Sequence, residues 1–432
     1  MSAEGEHVEL MKAKLRPAQQ RLDAAVLTDA RDFAALEEEW AELYENCPSA
    51  TPFQSWAWLY SWWEHYGEGY ELRLITVRSG NLLVGLLPLM LDRRLGFGRL
   101  LFVASRTTDY LDILAREGWE DSVAEAGVAA LEEMGGWRVA DLQEMRPEAA
   151  AWVLSQNWPG LRARTWQSNC PVTDVKPLEE LLPALKRKRR SSVRRALNRA
   201  EADGLHPRLV DPEDAENAAR RLVALHRDSW QGRGIGLEHM DRKFEMFLET
   251  AAHRMTARGL GAISEFRRDG EVVVSHFAVF GRDLLGGYIL GANQHALQRY
   301  QVSSLCIWDA LNLARDRGLP YVSHLRGEEP FKLQWSSRVV PNHRSILGQT
   351  PLSWALYTGY QILRSKVETY ADSETAPRWV RRIVVKYRAL RLKAAGPVEN
   401  KTRQSWGGSA DGADRARAHG QGCGEWHRAS RR

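Results

Sequence analysis

The chain has 432 residues, 44% of them hydrophobic, and a formal net charge of +5. That much apolar material can bury more than one core and excludes a wholly disordered chain. The cysteines Cys47, Cys170, Cys306 and Cys423 form no CxxC pair and stand at no metal-like spacing from histidine. They read as reduced, structural thiols, and no metal is expected. The opening residues hold no apolar signal core. The longest strongly apolar run, Leu82–Leu91, is about half the roughly 20 residues a spanning helix requires. A cytoplasmic protein is expected, at most peripheral to the inner face of the membrane.

Residues 1–28 read as a flexible leader. A first unit, 29–168, opens with Phe33, Leu36, Trp40 and Leu43 at helical spacing, and a second helix follows over Trp56–Tyr66. Strand-like runs come next at Leu72–Val77, Leu82–Leu91 and Leu100–Val103. The pattern then predicts a helix over Glu120–Met134, a strand over Trp137–Leu142 and a helix over Pro147–Gln156. Ser, Asn, Pro and Asp cluster over Thr165–Pro177, which reads as a seam.

A second unit, 169–350, repeats a similar order. Helix Leu181–Asp203 stops at Gly204, and Asp211 with Pro212 opens a helix running to Trp230. Phe244–Arg258 is a further helix. Strands are expected at Gly261–Arg267, Val272–Phe280 and Leu284–Ala292, with Asp269-Gly270 as a hairpin turn. A polar loop, Asn293–Val302, leads to helix Leu305–Arg317, capped by Ser303 or Ser304. A short strand Tyr321–Leu325, a helix ending at Trp335 and a closing strand Arg344–Leu347 complete the unit. The fold class is therefore mixed α/β, and the two successive halves suggest an internal duplication. Residues 351–395 read as amphipathic basic helices, and 396–432 as a disordered tail.

Two passages carry candidate chemistry. In Leu284–Trp335, a strand–loop–helix–strand order puts a helix N-terminus where it can hold an anion. The residues alone favour a plain βαβ crossover with a capped helix over such a site. In His324-Leu325-Arg326-Gly327-Glu328-Glu329-Pro330-Phe331-Lys332, a glycine turn is followed by two carboxylates and a lysine, with Trp335 beyond. A carboxylate at a strand end can act as a base, yet acids and a proline also suit a helix's first turn. The run 186–199 holds eight Lys or Arg and no acid. It reads equally as a solvated face or as a grip on phosphates.

The His324–Lys332 passage with Trp335 resembles the strand-end signature of the CelD-like branch of the GNAT acyltransferase superfamily, a relative of the Fem peptidyltransferases. Lys186–Gly204 resembles the basic helix that opens that family's second domain. Pro52-Phe53-Gln54-Ser55 with Trp58 and Trp62-Trp63, and Thr108-Asp109-Tyr110-Leu111-Asp112, are further matches. The resemblance covers about residues 30–350 and implies two tandem GNAT-like domains. It also implies acyl transfer, in the first place acetyl, from acyl-CoA to an amine or hydroxyl, with a saccharide of exopolysaccharide or envelope synthesis among the acceptors. The donor would lie between splayed strands at Leu284–Ala292 and Tyr321–Leu325, contacting Leu290, Gly291, Tyr300, Gln301, Val302, Ser303 and Ser304. Glu328, Glu329 and His324, in that order, are the candidate bases. Tyr288 or Tyr300 would protonate the leaving thiolate, and Lys332, Trp335, Asp109 and Tyr110 would face the acceptor.

Two departures stand out. The family's Tyr-Ser-Pro-Gly phosphate turn is Tyr300-Gln301-Val302-Ser303 here, which removes the glycine that allows close backbone approach. Its strand-end aspartate is His324, a group that ordinarily titrates near neutrality. Aminoacyl-tRNA-dependent peptidyl transfer and a non-catalytic scaffold on the same fold are the alternatives. Aromatics are absent from the basic helix, so nucleic acid is not an expected partner. Peripheral membrane contact is expected through 354–393. Gly232-Arg233-Gly234-Ile235-Gly236 follows no strong strand and is not read as a dinucleotide loop, and His276 is read as a satisfied core or surface histidine rather than a cleft residue.

Overall fold

The computed structural model describes residues 22–372 except 95, 106 and 231–240, and beyond them only 377, 379 and 383. The glycine loop at 232–236, the tail expected to be disordered (396–432) and residues 1–21 of the expected leader lie outside the described residues. The strands are β1 (Asp23–Leu27), β2 (Glu71–Ser79), β3 (Leu82–Asp92), β4 (Arg99–Phe102), β5 (Leu114–Ala115), β6 (Val139–Met145) and β7 (Leu161–Asp174), followed by β8 (Pro207–Leu209), β9 (Gly261–Arg268), β10 (Glu271–Phe280), β11 (Leu284–Ala292), β12 (Tyr321–Ser323) and β13 (Arg338–Gly348). The helices are α1 (Ala30–Ala35), α2 (Glu37–Glu45), α3 (Trp56–Tyr66), α4 (Glu120–Glu133), α5 (Ala151–Asn157), α6 (Leu178–Ala184) and α7 (Arg187–Ala202), followed by α8 (Ala215–Trp230), α9 (Arg242–Ala257), α10 (Gln294–Arg299), α11 (Val302–Asp316), α12 (Pro330–Trp335) and α13 (Pro351–Asp372).

One mixed sheet contains every described strand, in the order β1-β2-β3-β4-β6-β13-β7-β12-β11-β10-β9-β8, with β5 beside β3. Its two ends repeat one scheme. In the first, β2, β3 and β4 are antiparallel, α4 crosses over, and β6 returns parallel to β4. In the second, β9, β10 and β11 are antiparallel, α11 crosses over, and β12 returns parallel to β11. This is a duplicated α/β topology. The β9–β10 hairpin turns on Asp269 and Gly270, both at positive φ, as its two-residue connection requires.

Several expectations need correction. Residues 23–27, assigned to the leader, form β1 and pair with β2. The seam at Thr165–Pro177 is largely strand: β7 runs unbroken to Asp174, because its backbone is satisfied by β13 on one side and β12 on the other. Strand β13 does not close an edge; it lies mid-sheet, antiparallel to both β6 and β7. Helix Leu181–Asp203 is two helices, broken where Leu185 and Lys186 become extended after Pro183. The polar loop after β11 contains α10, capped by the Asn293 side chain on Ala296 N–H at 2.8 Å. Gln301, rather than a serine, precedes the first turn of α11.

The largest core cluster joins Trp40, Trp58 and Trp62 to Phe244 and Phe247, so helices from both halves share one apolar interior. Trp56 is also buried there, and Trp63 packs partly buried against the cluster. Burial at roughly 25 cal/mol per Å² makes such aromatics the heaviest contributors to stability. Cys47, Cys170 and Cys306 are buried free thiols.

Candidate functional site

β11 and β12 pair over only three positions, Leu284–Tyr321, Leu285–Val322 and Gly286–Ser323, and then part. Past that point β11 carries Gly287 and Tyr288 forward without β12. The Tyr288 hydroxyl donates to the Thr107 carbonyl at 2.9 Å, and its ring packs edge-on against Trp58. Further along, α8 closes on the strand. His226 donates from Nδ1 to the Leu290 carbonyl at 2.6 Å, and Ser229 Oγ accepts from Ala292 N–H at 2.8 Å. Gly291 permits this approach: a Cβ there would stand 2.4 Å from the backbone nitrogen of His226. Burial holds His226 below its ordinary titration range, so it is neutral at pH 7.

The other end of the parting strands is fixed by the Thr107–Asp112 segment. The Tyr110 hydroxyl shares a 2.7 Å hydrogen bond with Ser323, and burial raises the phenol's pKa. Arg326 donates from Nε to Asp109 at 2.9 Å and from Nη1 to Glu144 at 3.2 Å. Glu144 also accepts from Ser168 at 2.6 Å and from Asn342 at 3.0 Å, and Asn342 donates to the Asp109 carbonyl at 2.8 Å. Nearby carboxylates outweigh desolvation and keep the Arg326 guanidinium fully charged. Backbone strain concentrates around this cluster. Ala104, Glu144 and Leu325 are non-glycine residues at φ 65°, 54° and 57°. Such conformations persist only where the surroundings over-determine them.

His324 is buried, and burial pushes its pKa down to about 3, with Lys332 adding to the effect. The expectation of a group titrating near neutrality is thereby corrected. Thr173 donates its single hydroxyl proton to the Trp335 carbonyl at 2.8 Å, so it must accept from His324 Nε2, also at 2.8 Å. That fixes the Nε2–H tautomer of a neutral ring. Trp335 lies in a core cluster rather than on a surface. Gly327, at φ 111°, turns the chain into Glu328 and Glu329, which are both exposed. Glu329 pairs with Lys332 at 3.0 Å, and Lys332 also donates to the Arg326 carbonyl at 2.5 Å.

At the first turn of α11, Val302 and Ser304 are buried and Gln301 and Ser303 half-buried. Arg189 of α7 reaches Ser304 Oγ at 3.2 Å. Burial lowers the pKa of Arg189, and the Nε atoms of Arg189 and Arg190 are buried without hydrogen-bond partners. Arg187, Arg190, Arg194 and Arg195 line a groove of about 400 Å³ along α7. The Arg189 guanidinium at the N-terminus of α11, together with the arginines of α7, favours an anionic group. Tyr300 stands apart: its hydroxyl donates to Asp203 at 2.6 Å, at the far end of α7. His276 is a satisfied core residue, donating to Asp309 at 2.7 Å. Among the described residues, no three His, Cys, Asp or Glu side chains are placed to hold a metal ion.

The fold thus brings Asp109, Tyr110, Tyr288 and Arg326 around the mouth of the parting strands, while the buried His324 ring turns to Thr173 of β7. The sequence reading missed Glu144, Asn342, His226 and Ser229. None of the four left a local signal: even Glu144 lies in a strand, β6, that also carries Asp141 and Gln143.

Residues 187–333 match the family described as an acetyltransferase (GNAT) domain. Among solved structures, FemX superposes with a TM-score of 0.56 at 11% identity, covering 76% of this chain and 98% of that one. A conserved protein of unknown function from Bacteroides thetaiotaomicron superposes with a TM-score of 0.50 at 12% identity, covering 75% of this chain and 100% of that one. No curated protein matches the chain. The fold is thus a tandem GNAT-like architecture. More particularly, residues 187–333 in its second half match a GNAT acetyltransferase domain.

Proposed function

We propose that this protein transfers an acyl group, in the first place acetyl, from acyl-CoA to an amine or hydroxyl of a small-molecule or saccharide acceptor. The proposal keeps the CelD-like resemblance and, with it, an acceptor drawn from exopolysaccharide or envelope synthesis. One observation carries it: β11 and β12 part after Gly286 and Ser323, beside a helix whose first turn is met by the Arg189 guanidinium at Ser304. That arrangement suits a thioester arm laid along β11 and phosphates held at α11 by Ser303, Ser304 and Arg189.

In direct transfer, the acceptor's nitrogen or oxygen bonds to the thioester carbonyl carbon, the C–S bond breaks, and one proton leaves the acceptor while another reaches the thiolate. Glu328 is the preferred base, because it is exposed next to Gly327 whereas Glu329 is held by Lys332. His324 is buried and gives its only N–H to Thr173. Tyr288 is the preferred acid, because it stands where β11 leaves β12; its proton would have to leave the Thr107 carbonyl, whereas the Tyr300 hydroxyl is held by the Asp203 carboxylate at the far end of α7. The oxyanion donor would be an N–H of β11 before Ala292, whose own N–H goes to Ser229.

The test is calorimetric titration with acetyl-CoA, longer acyl-CoAs and free CoA. Micromolar binding is expected. Absence of binding to all three would overturn the reading and favour the scaffold alternative. The arginine groove of α7 favours one further reading, peptidyl transfer from aminoacyl-tRNA. That reading requires tRNA binding whose affinity falls steeply with salt.

A further inference from the structure

Helix α13 has two unlike faces. Its inner face is bound to the sheet: Tyr357 donates to Asp141 at 2.6 Å and accepts from Arg99 at 3.0 Å, Gln361 accepts from Arg344 at 3.0 Å, and Trp354 donates to the Ile346 carbonyl at 3.3 Å. These contacts fix the rotation of the helix. Its outer face therefore presents Leu352, Leu356, Leu363 and Val367 to solvent, 71%, 67%, 64% and 42% exposed. At 100° per residue these four fall within one narrow stripe along a helix ~33 Å long. Trp379 and Ile383, further along the chain, are also exposed, at 65% and 57%. A contiguous apolar stripe of this size marks an interaction surface.

The occupant is indicated by charge. Between 376 and 393 the chain carries seven Lys or Arg and no Asp or Glu. Two copies packed stripe to stripe would bring two such basic stretches into one assembly. An anionic bilayer instead neutralises them while taking the leucines into its interface. No described helix is long and apolar enough to cross a membrane, so α13 would lie along the surface. We infer that the outer face of α13 docks this protein onto an anionic lipid bilayer, with the basic stretch that follows it supplying the electrostatic half of the attachment. The inference stands on α13 and the basic stretch after it, and does not depend on the acyl-transfer reading.

The test is flotation of the full chain with vesicles of phosphatidylcholine alone or with about one-third phosphatidylglycerol. The expected result is flotation with the anionic vesicles only, weakened by salt, and reduced about ten-fold in Leu356→Glu/Leu363→Glu. Both side chains are exposed, so the double variant should keep the wild-type melting temperature, and a variant carrying Gln in place of the seven basic residues tests the second half separately. Absence of flotation with anionic vesicles overturns the inference. So does a self-association, or a protection of α13 by another segment of this chain, that the double variant abolishes while vesicle binding is unchanged.

Discussion

Arg326 and Asp109 lie 217 residues apart in the chain, yet the guanidinium Nε of one stands 2.9 Å from the carboxylate of the other. The backbone N–H of Arg326 reaches the same oxygen at 3.2 Å. This contact ties the turn after β12 to the segment that also receives the Tyr288 hydroxyl, so the two halves of the sequence meet at one mouth.

Arg326→Ala would leave Asp109 and Glu144 as buried carboxylates sharing no cation. Removing one partner of a buried ion pair costs about 3–5 kcal/mol. A loss of that size is expected in urea unfolding. Arg326→Lys should recover part of it only, since an ammonium cannot serve both carboxylates with a planar fork.

Glu328→Gln should lower turnover by about 10²-fold, the lower end of what general-base catalysis supplies, without shifting the melting temperature. Glu329→Gln should cost less turnover, because Glu329 is already paired with Lys332. Unchanged steady-state rates in Glu328→Gln would show that the base lies elsewhere.

His324 gives a pH signature. Its folded pKa of about 3 lies below the ordinary 6.5, so its contribution to stability is present above pH 6.5 and lost as pH falls towards 3. Between pH 6.5 and 5 the loss is about 2 kcal/mol. Asp112 acts with the opposite sign over part of this range, because burial pushes its carboxyl up to about 6. The measurement is therefore the difference in unfolding free energy between wild type and His324→Gln across this range, which should shrink as pH falls.

Gly291 and Gly287 offer a contrast on one strand. A methyl group at Gly291 would meet the backbone of His226 at 2.4 Å, whereas at Gly287 nothing lies within 4 Å. Gly291→Ala should destabilise by about 1–3 kcal/mol as α8 is forced away. Gly287→Ala should leave stability unchanged and weaken acyl-CoA binding, which melting curves and calorimetry on the two variants would separate.

Periodicity made most elements legible. The helix at Trp56–Tyr66 and the strand at Leu284–Ala292 were readable to the residue, since local side-chain alternation reports which face is buried. The signature around Arg326-Gly327 falls where β12 leaves β11 and Arg326 meets Asp109, and the duplicated topology followed from the order of elements. What the sequence by itself determined about this protein is thus a repeated α/β pattern and the segment where its chemistry would lie. Tertiary structure alone decided the rest. It placed β13 between β6 and β7, made a strand of the apparent seam, and brought Glu144 and Asn342 to Arg326. It also turned His324 from a group titrating near neutrality into a buried neutral ring. The physical reason is shared: strand pairing, burial and charge partnership are set by residues far apart in the chain, and no local pattern records who the distant partner is.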